Sequence, residues 1–228
     1  PEAVQQVYCW QYLQCLKLWV AVLSSAAPSE DGAMMRSLIY PLTEIILGTV
    51  RMVPSPVRHA PLRFHCIRLL QQLAASAEVF IPTTSLLLDC LDWKEWTLST
   101  TKSKAKEARG MQLDLMLKLP KDNPLRTHEQ LEACMSEFFT LLNREIELYR
   151  YSAGFPEFSL RIVVRLRQLS KEVRNSQWRA YAKGCLDLCD TYSTFCVEAR
   201  AKLEEAPKDV KVLECVKPSS EKRMRERH

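Results

Sequence analysis

Three cysteines near the carboxyl end of the sequence have a spacing that could bring metal ligands together. Cys185 and Cys189 lie four residues apart, and Cys196 follows eleven residues after Cys185, so a helix would carry all three on one face. Zinc would need a further pair of cysteines or spaced histidines. The histidines, which form no such pair, are His59, His65, His128 and His228. Because free cysteine behaves as a small apolar residue that is often buried, we predict core packing for these thiols and no metal.

His65 and Cys66 suggest a second kind of chemistry, a nucleophilic thiol activated by a base. Neighbouring residues on a helix point about 100° apart, so these two side chains would not face each other. No third group that could orient the histidine is identifiable. The sequence also lacks a Gly-rich phosphate loop, a Gly-x-Ser-x-Gly elbow and a His-Glu-x-x-His motif. We therefore expect no enzyme and no cofactor.

Cations between Pro156 and Asn175 are a third candidate site, for phosphate binding. At helical spacing, Arg167, Lys171 and Arg174 share one face. Arg161 and Arg165 share another. Such a helix could bind the backbone of RNA or simply face solvent, and the sequence leaves both interpretations open. Two polar segments add further candidate RNA contacts, namely Lys102, Lys104 and Lys106, and Lys222, Arg223, Arg225 and Arg227.

The composition indicates a folded protein of one large or two small domains. Of 228 residues, 47% are hydrophobic, which is enough to bury a sizeable core. The net charge of +5 permits contact with nucleic acid without requiring it. Nine cysteines without regular spacing indicate a reducing compartment, the cytosol or nucleus. We expect no secretory signal and no membrane span, and a start within helical sequence suggests a fragment of a longer protein.

Apolar residues at three- and four-residue steps predict helices along most of the chain. The predicted helices span roughly 3–23, 33–52, 56–77, 83–91, 125–151, 155–174 and 177–203. Pro41 should kink the second helix or divide it in two. Long helices joined by short turns are typical of stacked antiparallel pairs. The predicted fold class is all-α, an irregular HEAT/ARM-like α-solenoid of antiparallel helix pairs, with a compact helical bundle as the alternative.

The segment from Met111 to Leu119 alternates apolar and polar residues and is the one strand-like stretch of the sequence. Without a second strand nearby, it must lie extended against helices or pair with a partner. A polar, lysine-rich loop precedes it, so the two together are predicted to link two helical parts. The expected organisation is an N-terminal helical half (1–96), a basic loop and extended linker (97–123), a C-terminal helical half (124–205) and a basic tail (206–228).

Several motifs, taken in order, resemble the nucleolar complex protein 2 family. They are Tyr40–Gly48, Pro61–Arg68, Phe80–Pro82, Phe155–Glu157 and Ala206–Asp209, with Val7–Leu13 and Leu18–Trp19 before them. The most specific is Pro61–Arg68, which reads Pro-Leu-Arg-Phe-His-Cys-Ile-Arg. The resemblance covers nearly the whole chain as the family's C-terminal region. One departure is Arg161, near a position where the family tends to have proline.

The resemblance implies a nucleolar factor for assembly of the large (60S) ribosomal subunit, an α-solenoid without catalytic activity. It implies pairing with a paralogue of the nucleolar complex protein 1 or 3 type, and contact with pre-60S ribosomal proteins, assembly factors and pre-rRNA. The expected location is the nucleolus and nucleoplasm. It also implies an alternative, a chromatin-associated co-repressor that binds histones and inhibits acetylation. Histone tails are basic, so the net positive charge of this chain disfavours that alternative.

Within Pro61–Arg68, helical geometry separates apolar from charged side chains. Phe64 and Ile67 are expected to point inward and to serve packing. Arg63 and Arg68 are expected to project outward, where they would contact a partner or RNA.

Overall fold

The structure, a computed structural model, describes residues 6–26, 33–52, 57–94, 112–120, 128–173 and 175–201. Every regular element in these ranges is helical, so the all-α prediction is confirmed. The helices are α1 (Trp10–Ala26), α2 (Ala33–Arg36), α3 (Ile39–Arg51), α4 (Ala60–Ala77), α5 (Thr84–Leu88), α6 (His128–Tyr149), α7 (Phe155–Glu172) and α8 (Ser176–Ala201). Two short 3₁₀ turns cover Asp89–Asp92 and Leu113–Leu115. Within the described residues, no helix has both the length and the apolar character needed to cross a membrane.

Prolines mark several helix starts, as the sequence predicts. Pro61 in α4 and Pro156 in α7 both lie in the first turn, where the missing amide hydrogen has no intrahelical partner to lose. Around Pro41 the predicted split is confirmed, because α2 ends at Arg36 and α3 begins at Ile39. Helix α4 ends at Glu78, whose φ of 52° is in the left-handed region that often terminates helices.

The chain divides into two compact units, Pro1–Leu142 and Asn143–His228. The predicted halves instead meet at the segment 97–123, of which the structure describes only residues 112–120. The predicted tail, 206–228, lies outside the described residues altogether. The proposed domain boundaries and the solenoid arrangement therefore stay predictions.

Helix α4 is the centre of the first unit. Thirteen of its 18 residues are buried, among them Phe64 and Ile67, whose predicted inward orientation is confirmed. It packs on α1 and α3. On another side, the Nε2 atom of Gln71 donates to the carbonyl of Leu141 in α6, at 2.9 Å. A helix buried on so many sides has little surface left for solvent.

The described part of the strand-like stretch, residues 112–120, does not form the strand that its alternation suggests. Leu113–Leu115 make a 3₁₀ turn between Gln112 and Met116, whose backbones are extended, and the chain bends again at residues 117–118. The end of the segment lies against the start of α4, where the Leu119 amide donates to the carbonyl of Arg58 at 2.7 Å. The prediction that the segment lies against helices is therefore confirmed, whereas the prediction of a continuous strand is wrong. Among the described residues no strand lies beside it, and the 3₁₀ turn provides the backbone with internal hydrogen bonds instead.

The second unit is built on the pairing of α7 with α8. Helix α7 buries Ile162, Leu166 and Leu169 along one stripe. Glu157 contacts Arg200, and Ser159 contacts Ser193, so residue numbers rise along α7 as they fall along α8 and the helices are antiparallel. The cations of α7 therefore lie on the faces that this stripe leaves exposed.

Candidate functional site

Arg63 is a buried connection between α4 and α5 and not an outward-facing contact residue. The whole residue is 8% exposed. Its Nε and Nη2 atoms donate to the carbonyl of Leu86, at 3.0 and 2.7 Å, and Nη2 also donates to Oδ2 of Asp89 at 3.0 Å. The expectation that Arg63 projects outward is wrong, because α4 has no solvent-facing side at this position. Its guanidinium donates to a helix-end carbonyl that otherwise accepts from the Cys90 thiol, a weaker donor, at 3.3 Å.

Arg68 is half-buried and links three elements of the first unit. Its Nη1 atom donates to Oδ1 of Asp114 at 2.5 Å, and its Nη2 atom donates to Oε1 of Glu137 in α6. Burial disfavours the charged guanidinium, but these two carboxylates outweigh it and raise the pKa of Arg68. The hydrogen bond from Arg68 lowers the pKa of Asp114 in turn. Both ends of this guanidinium are therefore committed within the unit.

The same carboxylates line a cleft of about 520 Å³ on the surface of the first unit. Its walls come from residues 112–115 and from the Ala133–Glu137 part of α6. Asp114 and Glu137 already bind Arg68. We therefore interpret this cleft as a gap between packed elements and not as a ligand pocket.

His65 and Cys66 do not form a catalytic pair. The Nε2 atom of His65 lies 3.2 Å from the carbonyl of Met116, on the side of the segment 112–120. Burial, together with Lys17 and Arg68, lowers the pKa of His65 and so favours the neutral ring. Burial raises the pKa of the Cys66 thiol to about 12. A thiol of that pKa is protonated at neutral pH and is a poor nucleophile.

The predicted core packing of the three C-terminal cysteines is confirmed. Cys185, Cys189 and Cys196 are each at most 1% exposed. Cys185 donates from its thiol to Oδ1 of Asn143 at 3.1 Å, and burial raises the pKa of Cys185 and of Cys189 to about 12. Over the part of the chain that the structure describes, no group of three cysteine, histidine or carboxylate side chains has the geometry to hold a metal ion.

The cations of α7 form the most exposed of the predicted contact sites. Arg161, Arg167 and Lys171 are exposed, and no ion pair to another described residue involves them. Arg165 is half-buried and donates to Oε1 of Gln168 at 2.6 Å. These four cations follow one another along α7 at steps of four, two and four residues, so they extend over about 15 Å of the helix, on two of its faces.

Of the acidic residues of α7, Glu157 does little to offset this positive surface. Glu157 accepts two hydrogen bonds from Arg200 in α8, at 2.8 and 2.6 Å. These bonds lower the pKa of Glu157 to about 2, so its charge is matched by that of Arg200. Glu172 accepts a hydrogen bond from Gln168.

The remaining predicted contacts lie outside the described residues. They are Arg174, the loop lysines Lys102, Lys104 and Lys106, and the tail residues Lys222, Arg223, Arg225 and Arg227. Their contact with RNA stays a prediction. The structure thus brings together only the α7 group among the predicted sites, while Arg63 and Arg68 belong to the interior of the other unit.

Within the described residues, fold and site together define an all-helical protein in which Arg63 and Arg68 join helices and α7 carries a group of exposed cations. The chain belongs to the Noc2p family, whose model matches residues 1–224. A nucleolar complex-associated protein 2 of Arabidopsis thaliana is 33% identical over 92% of this chain. Nucleolar complex protein 2 of Drosophila melanogaster is 27% identical over 88%, and its homologue in Caenorhabditis elegans is 28% identical over 88%.

The chain spans about a quarter of the length of these relatives, namely 26% of the Arabidopsis protein, 25% of the Drosophila protein and 28% of the nematode protein. The match therefore concerns one region of each of these longer relatives. The resemblance to the nucleolar complex protein 2 family, inferred from the motifs, is confirmed.

Proposed function

We propose that this chain is part of a non-catalytic scaffold for assembly of the large ribosomal subunit, located in the nucleolus and nucleoplasm. The observation that carries the proposal is membership of the Noc2p family over residues 1–224, with relatives named for a nucleolar complex. A scaffold role fits a chain whose Cys66 thiol stays protonated and whose His65 ring serves packing. In this role the protein forms a heterodimer with a paralogue of the nucleolar complex protein 1 or 3 type.

The exposed cations of α7 are the proposed contact with pre-rRNA. Arg167 and Lys171 lie four residues apart on one face of α7, about 6 Å along its axis. Arg161 lies on another face of the same helix, so we propose that the three cations meet RNA phosphates from two sides of α7. Each guanidinium or ammonium that meets a phosphate releases a counterion, so the contact weakens as salt rises. This surface repels basic histone tails, and for that reason we do not propose the co-repressor function.

Ultraviolet cross-linking of the intact protein to RNA in cells tests this contact. The triple variant Arg161→Glu, Arg167→Glu and Lys171→Glu should reduce cross-linked pre-rRNA by about tenfold or more, and should make the salt dependence of binding shallower by about three counterions. The matched control is Arg51→Glu with Lys183→Glu, which reverses exposed cations on α3 and α8. Unchanged cross-linking in the triple variant, or an equal loss in the control, would show that the cations of α7 do not form the RNA contact.

A further inference from the structure

Helix α1 carries two apolar stripes, and only one of them is buried in the first unit. The buried stripe consists of Leu13, Leu16, Val20 and Leu23. On other faces, Leu18 is 65% exposed, Trp19 50% and Val22 37%. Lys17 is the one charged residue among the 17 of this helix. A helix that is apolar nearly all round is normally covered on all sides, so the exposed stripe is unusual.

Helix α3 and the residues that flank it carry a matching exposed stripe. Leu38, Ile45 and Met52 follow one another at seven-residue steps, which places them on one side of the helix over about 21 Å. Their exposed fractions are 40%, 49% and 47%. A seven-residue repeat of large apolar side chains is the pattern with which one helix packs against another.

The two stripes lie side by side. The Tyr8 hydroxyl donates to the carbonyl of Thr49 at 3.2 Å, and the Tyr12 and Thr49 hydroxyls are 3.4 Å apart. Trp19 follows Tyr12 by seven residues and so lies on the same side of α1, toward α3. Ile45 precedes Thr49 by four residues and Met52 follows it by three, so both lie on the side of α3 toward α1. We call the surface made by Leu18, Trp19, Val22, Leu38, Ile45 and Met52 the α1–α3 face.

The area and charge of the α1–α3 face indicate what covers it. An aromatic side chain has roughly 200 Å² of surface and the aliphatic ones have less, so these six, which are about half exposed, present on the order of 500 Å². That is near the upper end of the patch size on monomers, and it is more than half of the share of one partner in a standard interface, about 800 Å². None of the six side chains is charged, so the face offers nothing to RNA phosphates or to an acidic peptide. Tryptophan and methionine are enriched in the cores of protein interfaces, where charged residues are depleted.

We propose that the α1–α3 face is the docking site for a helix of a second protein, whose contacting side is apolar and uncharged. The partner helix lies along the two stripes and inserts its side chains between Trp19 and Ile45, as in helix-in-groove recognition. This inference rests on the proposed scaffold function and adds the location and chemistry of the partner surface. It separates the protein partner, on the first unit, from the proposed RNA contact on α7.

Site-specific photo-cross-linking of the intact protein tests the proposal. A benzophenone amino acid replaces Trp19 in one sample and Ile45 in another, and Leu160, an exposed apolar residue of α7, serves as the control position. We expect cross-links from positions 19 and 45 to map to one helix of another protein, on a side without charged residues. Cross-links to a second copy of this chain, to RNA, or to nothing at all would overturn the proposal.

Charge substitutions give an independent measure of the same contact. Leu18→Glu with Ile45→Glu places two carboxylates in the apolar face and should weaken association with that partner by about 100-fold or more. Leu160 is 62% exposed and Leu18 is 65% exposed, so Leu160→Glu is a matched control. It should leave association with the partner unchanged. All these residues are exposed, so circular dichroism should show unaltered helix content.

The result also separates this inference from the proposed function. If the wild-type protein still accompanies pre-60S particles while the double variant keeps its partner, the α1–α3 face is wrong and the scaffold function stands. If the wild-type protein never accompanies those particles, the scaffold function itself fails, whatever the cross-links show.

Discussion

Arg63 and Arg68 lie five residues apart on α4, and both guanidinium groups bind acceptors within the first unit. From the sequence, an arginine beside apolar residues in a helix is expected to face solvent, because most helices have one polar side. Helix α4 departs from that rule, since 13 of its 18 residues are buried. An arginine there must find acceptors inside the protein, and a sequence without its neighbours in space does not reveal which acceptors those are.

Removing the buried guanidinium should be costly. Arg63→Ala removes the charged donor from the Leu86 carbonyl, which retains the weaker Cys90 thiol as a donor, and from the partly exposed Asp89 carboxylate. We therefore expect the free energy of opening α5 to fall by about 1.5–3 kcal/mol. Hydrogen exchange of the amides in Thr84–Leu88, followed by mass spectrometry on the intact protein, measures this directly. Arg161→Ala, on the exposed side of α7, is the matched control. It should change the free energy of opening α7 by no more than about 0.5 kcal/mol. Equal protection of α5 in wild type and variant would show that Arg63 does not join these helices.

The ion pair of Glu157 with Arg200 predicts a pH dependence whose sign follows from its pKa. The folded pKa of Glu157 is about 2, below its ordinary value of 4.5, so the folded state holds this proton less tightly than the unfolded chain. The contribution of this ion pair to the free energy of unfolding is therefore complete above about pH 4.5 and is lost as the pH falls toward 2. Glu157→Gln lacks this contribution at every pH.

Thermal unfolding of wild type and Glu157→Gln across the range from pH 6 to pH 2 tests that sign. We expect the wild type to have the higher melting temperature at pH 6, with the gap closing as the pH falls. The Glu157 side chain is 67% exposed and that of Arg200 is half-buried, so solvent screens the pair, and the gap should be small and should shrink in high salt. A gap that widens on acidification would contradict the assignment.

At the level of elements, the sequence predicts most of the helices because proline positions and apolar spacing act locally. The split before Pro41 and the start of α7 near Pro156 follow from the fixed φ of proline and its missing amide hydrogen. The segment Met111–Leu119 is less predictable, because its alternation fits a strand while its backbone has no strand to pair with. Which element it packs on depends on the Leu119 to Arg58 hydrogen bonds, a contact between residues far apart in sequence.

Helix α4 should be the most stable element of the first unit, because it contacts α1 and α3 and is bonded to α6 through Gln71. Phe64 is 1% exposed, and Phe64→Ala should lower the free energy of unfolding by about 3–5 kcal/mol, because burial is lost and a cavity remains. Leu115 is 71% exposed, and Leu115→Ala should lower the free energy of unfolding by no more than about 0.5 kcal/mol. Denaturant unfolding monitored by hydrogen exchange in α4 compares the two, and similar losses would show that α4 is not the core.

On the scale of the whole molecule, the candidate surfaces are chemically distinct. The proposed RNA contact on α7 is cationic and should weaken with salt, whereas the α1–α3 face is uncharged and should tolerate it. The sequence anticipates the α7 cations, because charge is visible residue by residue. It does not reveal the α1–α3 face, because an apolar side chain looks the same whether its own chain or a partner covers it. The seven-residue steps from Leu38 through Ile45 to Met52 are the signal that could have indicated it.

The central claim is that this chain belongs to a scaffold of the assembling large ribosomal subunit. Sedimentation of the tagged, intact protein from nuclear extract through a sucrose gradient at moderate salt tests that claim most directly. We expect the protein to migrate with pre-60S particles, and to return to the top of the gradient once the particles are dissociated. A protein that stays at the top of the gradient in untreated extract, apart from every pre-60S fraction, would contradict the claim.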